Sequence, residues 1–270
     1  MTHSHAEIRA LLQLNGLQPS RALGQNFVGD ANTVRRIARL AEVGEGDRVV
    51  EIGPGLGSLT LALLETGAVV TAVEMDRFLI PILRHVVEPH GATVVHADAL
   101  EVNWPELLGD EPGWVLVANL PYNVATTLVL NVLGDAPMVE RLLVMVQREV
   151  AERFSAKPRT KAYGAVTVKA AWSATASIVG KVPPTVFVPQ PKVDSALVML
   201  RRHADVGDVA ERDAVFGLVD AGFATRRKML RNTLAGLVDD AGFEAADVAP
   251  TARAEELDLA AWRRLASRLC

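Results

Sequence analysis

Arg48-Val-Val-Glu-Ile-Gly-Pro-Gly-Leu-Gly-Ser-Leu-Thr60 decides how the rest of the 270-residue chain is read. Val49 to Ile52 is a short apolar run of the kind a buried strand makes. It empties into a turn holding Gly53, Gly55 and Gly57 before a helical pattern resumes at Leu59. Glycines there let the backbone pass close to a ligand and take angles forbidden to residues with a Cβ. Such a turn also arises for purely structural reasons, so a second feature is needed. Glu74 supplies it, about twenty positions on at the end of Val69-Val-Thr-Ala-Val73, where a carboxylate accepts ribose hydroxyls. Ser58, sixth in the glycine pattern, leaves a nicotinamide dinucleotide open beside other nucleosides.

Outward from this stretch, strands alternate with helices. Strands are expected at 49–52, 69–73, 93–96, 114–118 and 142–147, with helices near 58–66, 77–87 and 125–133. That succession marks an α/β fold with a parallel or mostly parallel sheet covered by helices. Ligands of such sheets sit beyond the carboxyl ends of the strands. Gly53, Glu74, Asp98 and Asn119 each follow an expected strand end, so four separated residues converge on one edge.

Upstream, Glu7 to Leu14 reads as a short helix, and Asp30 as the N-cap of a helix to about Ala41. The polar pair Gln25-Asn26 between them has no packing role. Downstream, a helix through Phe154 leads to the basic loop Ser155–Gly164. Ala165–Ala171, Ala174–Lys181 and Val193–Leu200 read as further strands, and prolines on both sides hold Phe187 in a rigid, extended loop. After Arg201–Gly207 the strand alternation stops. Helices are expected near 211–221, 226–238, 241–246 and 258–268, the second starting at a Thr225 cap and carrying Arg226-Arg-Lys-Met-Leu-Arg231. The organisation expected is an N-terminal segment 1–48 packed on a catalytic domain 49–202, then a small helical domain 208–270.

With 50% hydrophobic and 22% charged residues and a net charge of -4, the composition excludes a disordered chain. No apolar run has the form of a signal peptide or the length of a membrane span, so a cytoplasmic protein without a membrane partner is expected. The single cysteine, Cys270, permits neither an internal disulfide nor a thiolate metal cluster, and the six histidines lack ligand spacing. No metal is expected. The charge is uneven: residues 1–115 carry eight Lys/Arg against fifteen Asp/Glu, and residues 147–231 fifteen against eight. A mildly acidic protein can therefore present a basic face to an anionic polymer.

Val115-Leu-Val-Ala-Asn-Leu-Pro-Tyr-Asn123 is more specific than the glycine turn. A strand ending in Asn119-Leu120-Pro121-Tyr122 puts an amide oxygen, a backbone carbonyl and an aromatic ring at one bend. Proline stiffens the bend and removes a donor, freeing the Leu120 carbonyl to point outward. An exocyclic amine with two N–H groups on a ring to be stacked, adenine or cytosine, fits this set. The adenine N6 lone pair is delocalised and poorly nucleophilic. Two acceptors, Asn119 and the Leu120 carbonyl, draw its N–H bonds out of the ring plane and aim the nitrogen, while Tyr122 stacks on the base.

Gly24-Gln-Asn-Phe27, Glu51-Ile-Gly-Pro-Gly55, Glu74-Met-Asp76, Asp98-Ala-Leu100, Asn119-Leu-Pro-Tyr-Asn123, Gln147-Arg-Glu-Val150, Val188-Pro-Gln-Pro-Lys-Val-Asp-Ser195 and Arg226-Arg-Lys228 follow in order. Together they resemble the ribosomal small-subunit RNA adenine dimethyltransferases of the KsgA/RsmA type, over nearly the whole chain to Arg253-Ala-Glu-Glu256. The resemblance implies a Rossmann-like class I methyltransferase sheet with a small C-terminal helical domain. It implies a monomer that uses S-adenosylmethionine to place two methyls on N6 of each of two adjacent adenosines near the 3′ end of 16S RNA, late in 30S assembly. Gln25, Asn26, Val28, Gly53, Gly55, Glu74, Met75, Asp98, Ala99 and Asn119 would then hold the methyl donor. Glu74 would take the ribose hydroxyls and Asp98 the adenine amino group. Asn119, Leu120 and Tyr122 would handle the target base, with Phe187 on its other face. Lys157, Arg159, Lys161, Arg226, Arg227, Lys228 and Arg231 would meet RNA phosphates.

The segment before Gly24 departs from the family. It is Ser20-Arg-Ala-Leu23, where the family is richer in Lys and Arg and commonly has an aromatic. Two alternatives stand beside the main expectation: an adenine methyltransferase of large-subunit RNA of the macrolide-resistance type, and an assembly factor in which methylation is secondary. A dehydrogenase would leave Asn119 and Tyr122 unexplained.

Overall fold

The computed structural model describes residues 2–269; Cys270 lies outside the described residues. In chain order the elements are α1 (His5–Leu14), β1 (Phe27–Val28), α2 (Ala31–Leu40), β2 (Arg48–Ile52), α3 (Ser58–Leu64), β3 (Val69–Glu74), α4 (Ile80–Val87), β4 (Thr93–His96), α5 (Trp104–Leu108), β5 (Trp114–Asn119), α6 (Ala125–Asp135) and β6 (Val139–Gln147). Then come α7 (Arg148–Phe154), α8 (Ala165–Ser173), β7 (Ala174–Val182), β8 (Phe187–Val188), β9 (Ser195–Arg202), α9 (Val209–Phe223), α10 (Leu230–Thr233), α11 (Asp240–Ala245) and α12 (Leu259–Ala266). Among the described residues no helix is long and apolar enough to cross a membrane.

Seven strands form one sheet in the order β4-β3-β2-β5-β6-β9-β7. β4, β3, β2, β5 and β6 run parallel, and β9 joins β6 antiparallel. The order reverses between β2 and β5, which opens the crevice where sheets of this kind bind ligands. The central strands are apolar on both faces because helical crossovers cover them. Val49, Val70, Val115, Val117, Leu143 and Leu197 pack with Val34, Ile37 and Ala38 of α2 and Leu59, Ala62 and Leu63 of α3. α2 forms where Asp30 accepts from the Thr33 N–H at 2.6 Å, and α1 where Ser4 and Glu7 cap each other.

The chain divides into two compact units, one running to Ala151 and resuming at Ser177–Arg202, the other comprising Glu152–Ala176 and the chain from His203 on. Residues 1–48 fall in the first unit, with the domain they were expected to pack on, whereas residues 152–176 group with the helical unit instead of the sheet unit. The reason is local: Ala165–Ser173 is the helix α8, where a strand was expected. Val166, Thr167 and Val168 favour strands, but Val168 and Trp172, one helical turn apart, bury against Val215, Leu218 and Trp262. The Thr167 hydroxyl accepts from the Gly164 N–H at 3.1 Å and donates to the Arg153 carbonyl at 2.6 Å.

The helix expected at 226–238 is also corrected: residues 224–227 form a turn, and only Leu230–Thr233 is helical. Backbone donors that would propagate a helix are used elsewhere. Leu230 N–H bonds the Ala252 carbonyl at 2.8 Å and Arg231 N–H the Pro250 carbonyl at 3.0 Å. Thr225 is not a helix cap; its carbonyl accepts from Lys228 N–H within the turn.

Candidate functional site

A cavity of about 340 Å³ opens at the carboxyl ends of β2, β3 and β5. Its wall includes Gln25, Asn26, Val28, Gly53, Gly55, Glu74, Met75, Asp98, Ala99, Asn119, Leu120 and Tyr122, so every donor-binding candidate and three of the four base-handling candidates meet there.

The glycine turn is fitted to its neighbours. Gly55 has φ +60°, and a Cβ on it would stand 2.8 Å from the Phe27 ring. Its N–H donates to Glu74 Oε2 at 3.0 Å, while Asp76 N–H donates to Oε1 at 2.8 Å. One backbone donor on each oxygen locks the Glu74 carboxylate and leaves lone pairs for a diol. Glu74 is buried, which raises its pKa against the opposing pull of those two N–H groups. Asp98 also lines the cavity. Its Oδ1 accepts from Leu100 N–H at 2.9 Å, so the turn-cap role coexists with a second oxygen available to a ligand.

The N-terminal segment closes the wall through bonds across the fold. Gln25 Nε2 donates to Asp76 Oδ2 at 2.7 Å, and its Oε1 accepts from Ser20 N–H at 2.8 Å. Both ends of that amide are engaged within the protein, which makes Gln25 a latch of the wall. Asn119 Nδ2 donates to the Asn26 carbonyl at 2.9 Å, leaving Asn119 Oδ1 as an acceptor without a donor among the described residues. Leu120 N–H bonds the Met145 carbonyl at 3.0 Å, while the Leu120 carbonyl takes no donor among the described residues. Tyr122 is half-buried, and its hydroxyl lies 3.2 Å from Ser195 Oγ, which is itself buried.

Phe187 is not brought to the cavity. The ring expected on the second face of the target base is 3% exposed, packed with Val28, Val34 and Leu143 and absent from the cavity wall. Its backbone pairs antiparallel with Val28, so this loop anchors the N-terminal segment. Among the wall residues not assigned from the sequence are Glu51 and Ser58. The signal for Glu51 was present: a carboxyl inside the apolar run Val49–Ile52.

In the helical unit, the two basic stretches meet. The Arg226 guanidinium bonds Glu255 at 2.6 Å and the Lys161 carbonyl at 2.8 Å. Arg159 N–H bonds the Glu255 carbonyl at 2.7 Å, and its guanidinium lies 3.9 Å from Glu256. Arg226 is therefore a structural pin more than a free cation. Lys157, Lys161, Arg227, Lys228 and Arg231 are exposed.

The residues present fit S-adenosylmethionine: a fixed buried carboxylate for a ribose, a second for an amino group, apolar Met75, Ala99 and Leu100 for a flat base, and buried polar atoms of Glu51 and Ser58 without partners among the described residues.

Residues 17–269 match the family described as ribosomal RNA adenine dimethylase. The chain is 50% identical to the ribosomal RNA small subunit methyltransferase A of Leifsonia xyli subsp. xyli over 97% of each chain. It is 50% identical to that of Cutibacterium acnes over 98% of this chain and 93% of the other. Among solved structures it is similar to the 23S rRNA methyltransferase ErmE, with a TM-score of 0.70 and 31% identity over 90% of this chain and 99% of that one. A dimethyladenosine transferase from Plasmodium falciparum, 23% identical over 87% of this chain and 94% of that one, shares the fold at a TM-score of 0.75. The chain is an S-adenosylmethionine-dependent ribosomal RNA adenine methyltransferase and belongs to the ribosomal RNA adenine dimethylase family.

Proposed function

We propose that the chain dimethylates N6 of two adjacent adenosines near the 3′ end of 16S RNA, acting as a cytoplasmic monomer on an immature 30S particle. The observation that carries the site is the pair of free acceptors on one bend, Asn119 Oδ1 and the Leu120 carbonyl, beside the half-buried ring of Tyr122. The small-subunit assignment is supported by relatives of that name at 50% identity over nearly full length, against 31% for the 23S enzyme.

The donor supplies an electrophilic methyl on a sulfonium, so the protein's task is positioning. Asn26, Val28, Gly53, Gly55, Glu74, Met75, Asp98 and Ala99 hold the donor, Glu74 at the ribose and Asp98 at the adenine amino group, while Gln25 latches the wall. Asn119 Oδ1 and the Leu120 carbonyl accept the two N–H bonds of the target amine and turn its lone pair out of conjugation. Positive charge developing on the amine is met by the same two acceptors; the donor leaves as the neutral thioether S-adenosylhomocysteine, and the amine's proton passes by way of these acceptors to water. Once one methyl is attached, one N–H remains for one acceptor, and rotation of the amine presents the lone pair again. Lys157, Lys161, Arg227, Lys228 and Arg231 neutralise phosphate, and the shape of the particle supplies selection.

The test is transfer of labelled methyl to unmethylated small subunits, large subunits and duplex DNA in parallel, with an Asn119→Ala control. N6,N6-dimethyladenosine confined to small-subunit RNA is the expected result. Label only in large subunits would reassign the chain to the resistance type, and tight binding to immature small subunits without label would make it chiefly an assembly factor.

A further inference from the structure

The cavity wall carries three carboxyls, Glu51, Glu74 and Asp98, and no Lys, Arg or His among the described residues. Two of the three have evident local roles in holding turns. Glu51 has none. It sits mid-sheet on β2, between Ala72 of β3 and Val117 of β5, and is 1% exposed. Its Oε2 has no hydrogen-bond partner among the described residues, and the same is true of Ser58 Oγ on the adjoining α3. A buried carboxyl with an unsatisfied oxygen is costly as an anion and cheap as an acid, unless something positive enters.

Few polar groups surround Glu51. The Thr60 hydroxyl of α3 and the Glu74 carboxylate of β3 act on it directly, and Ser58 of α3, Asp98 after β4 and Asn119 of β5 share its cavity wall. The N-terminal segment contributes Gln25 to Val28, none of them charged. We propose that Glu51 is the charge-matching group of this cavity: it holds a proton while no cation is bound and releases it when a cationic centre of the methyl donor, its ammonium or its sulfonium, occupies the cavity. Cofactor binding is then proton-linked, and this inference rests on the cavity being the donor site. Burial pushes the Glu51 carboxyl up to about 8; the nearby Thr60 hydroxyl opposes that shift, and the Glu74 charge reinforces it. An entering cation pulls the same group back into the ordinary carboxylate range. At neutral pH the protonation states on either side of binding therefore differ by one hydrogen ion.

Titration calorimetry of the full chain at pH 7, in two buffers of different ionisation heat, counts the protons directly. The probes are S-adenosylmethionine, S-adenosylhomocysteine, which keeps the ammonium but lacks the sulfonium, and 5′-methylthioadenosine, which lacks both. The expected result is release approaching about one proton with S-adenosylmethionine and none with methylthioadenosine, with donor affinity rising up to about tenfold per pH unit between roughly pH 6 and 8. Release with S-adenosylhomocysteine as well assigns the partner to the ammonium; release with the methyl donor alone assigns it to the sulfonium. Glu51→Gln is expected to bind without proton release and with flat pH dependence. Donor binding by the wild type without proton release, equal release with methylthioadenosine, or release persisting in Glu51→Gln overturns the proposal alone. Absence of binding by all three probes instead overturns the donor-site reading beneath it. The comparison among probes needs only the wild-type protein, so the outcome does not depend on whether the variant folds.

Discussion

Asn119 Nδ2 donates to the Asn26 carbonyl at 2.9 Å, joining residues 93 positions apart in sequence. This bond fixes which end of the amide faces the cavity: the nitrogen is engaged, so the oxygen is presented. The N-terminal segment thereby orients the Asn119 amide. Asn119→Ala is expected to lower kcat for methyl transfer by about 10²- to 10³-fold, the usual cost of one preorganised polar group at a reacting centre. Asn119→Asp is expected to fare no better, because a carboxylate oxygen would meet the Asn26 carbonyl where an N–H stood. Single-turnover transfer to small subunits measures both, and an Asp variant within tenfold of wild type would remove the orientation argument.

Tyr122 and Ser195 predict a coupled effect. Ser195 Oγ is buried and lies 3.2 Å from the Tyr122 hydroxyl, so the strand β9 steadies the ring that closes the bend. Tyr122→Phe and Ser195→Ala should each cost about 0.5–1.5 kcal/mol in kcat/KM for RNA. The double variant should cost no more than the larger single one, because both remove the same bond. Affinity for S-adenosylmethionine is expected to stay within about twofold throughout. Additive losses would show that Ser195 acts on something other than the ring.

The sheet and the cavity at its carboxyl edge were legible in the sequence because short-range signals carry them. Gly53, Glu74, Asp98 and Asn119 each end a parallel strand, and parallel strands place their carboxyl ends on one edge whatever the loops between them do. The helical unit was less legible because long-range bonds decide its local structure. Val166 to Val168 favour a strand and become helical once Val168 and Trp172 find the Trp262 cluster. Arg226 to Arg231 have helical composition, yet the Leu230 and Arg231 N–H groups pair with Ala252 and Pro250, more than a helix length away in sequence. Phe187 reads equally well as a base platform and as an anchor until its pairing with Val28 is seen. The Arg253-Ala-Glu-Glu256 stretch, used as a family signature, gains a physical meaning from the fold: Glu255 holds Arg226.

That ion pair separates two kinds of cation in the helical unit. Arg227→Ala with Lys228→Ala removes exposed charges and should lower the slope of log affinity for small-subunit RNA against log salt by about 0.7–0.9 for each phosphate left without its cation. Thermal stability should be unchanged. Arg226→Ala leaves Glu255 without its 2.6 Å partner and removes the bond to the Lys161 carbonyl. It should therefore act through the placement of the 157–161 loop, with increased protease sensitivity there. Nitrocellulose binding across a salt series, paired with limited proteolysis, distinguishes the two. A salt slope unchanged by the Arg227–Lys228 double variant would place the RNA interface elsewhere.

The buried carboxyls of the cavity also predict how the ligand-free protein responds to pH. Burial raises both Glu51, to about 8, and Glu74 above the ordinary value of 4.5. In the unfolded chain both titrate near that ordinary value, so between about pH 4.5 and 8 the folded state binds more protons than the unfolded state. Their contribution to stability is complete below the unfolded pKa and is lost as pH rises through the folded one. The slope is roughly 1.4 kcal/mol per pH unit for each fully differing group. Glu65 has the opposite sign: the Arg35 guanidinium holds its carboxyl down to about 2, so its contribution is already in place by pH 5. The fall from pH 5 to 8 therefore comes from Glu51, with Glu74 acting in the same direction. Urea unfolding of the wild type should show stability falling across that window, and Glu51→Gln should flatten the fall, gaining on the wild type as pH rises. Saturating S-adenosylmethionine should flatten it too, because a bound cation removes the reason for Glu51 to keep its proton. Stability that climbs from pH 5 to 8 in the ligand-free wild type would mean that Glu51 and Glu74 are both ionised in the empty cavity.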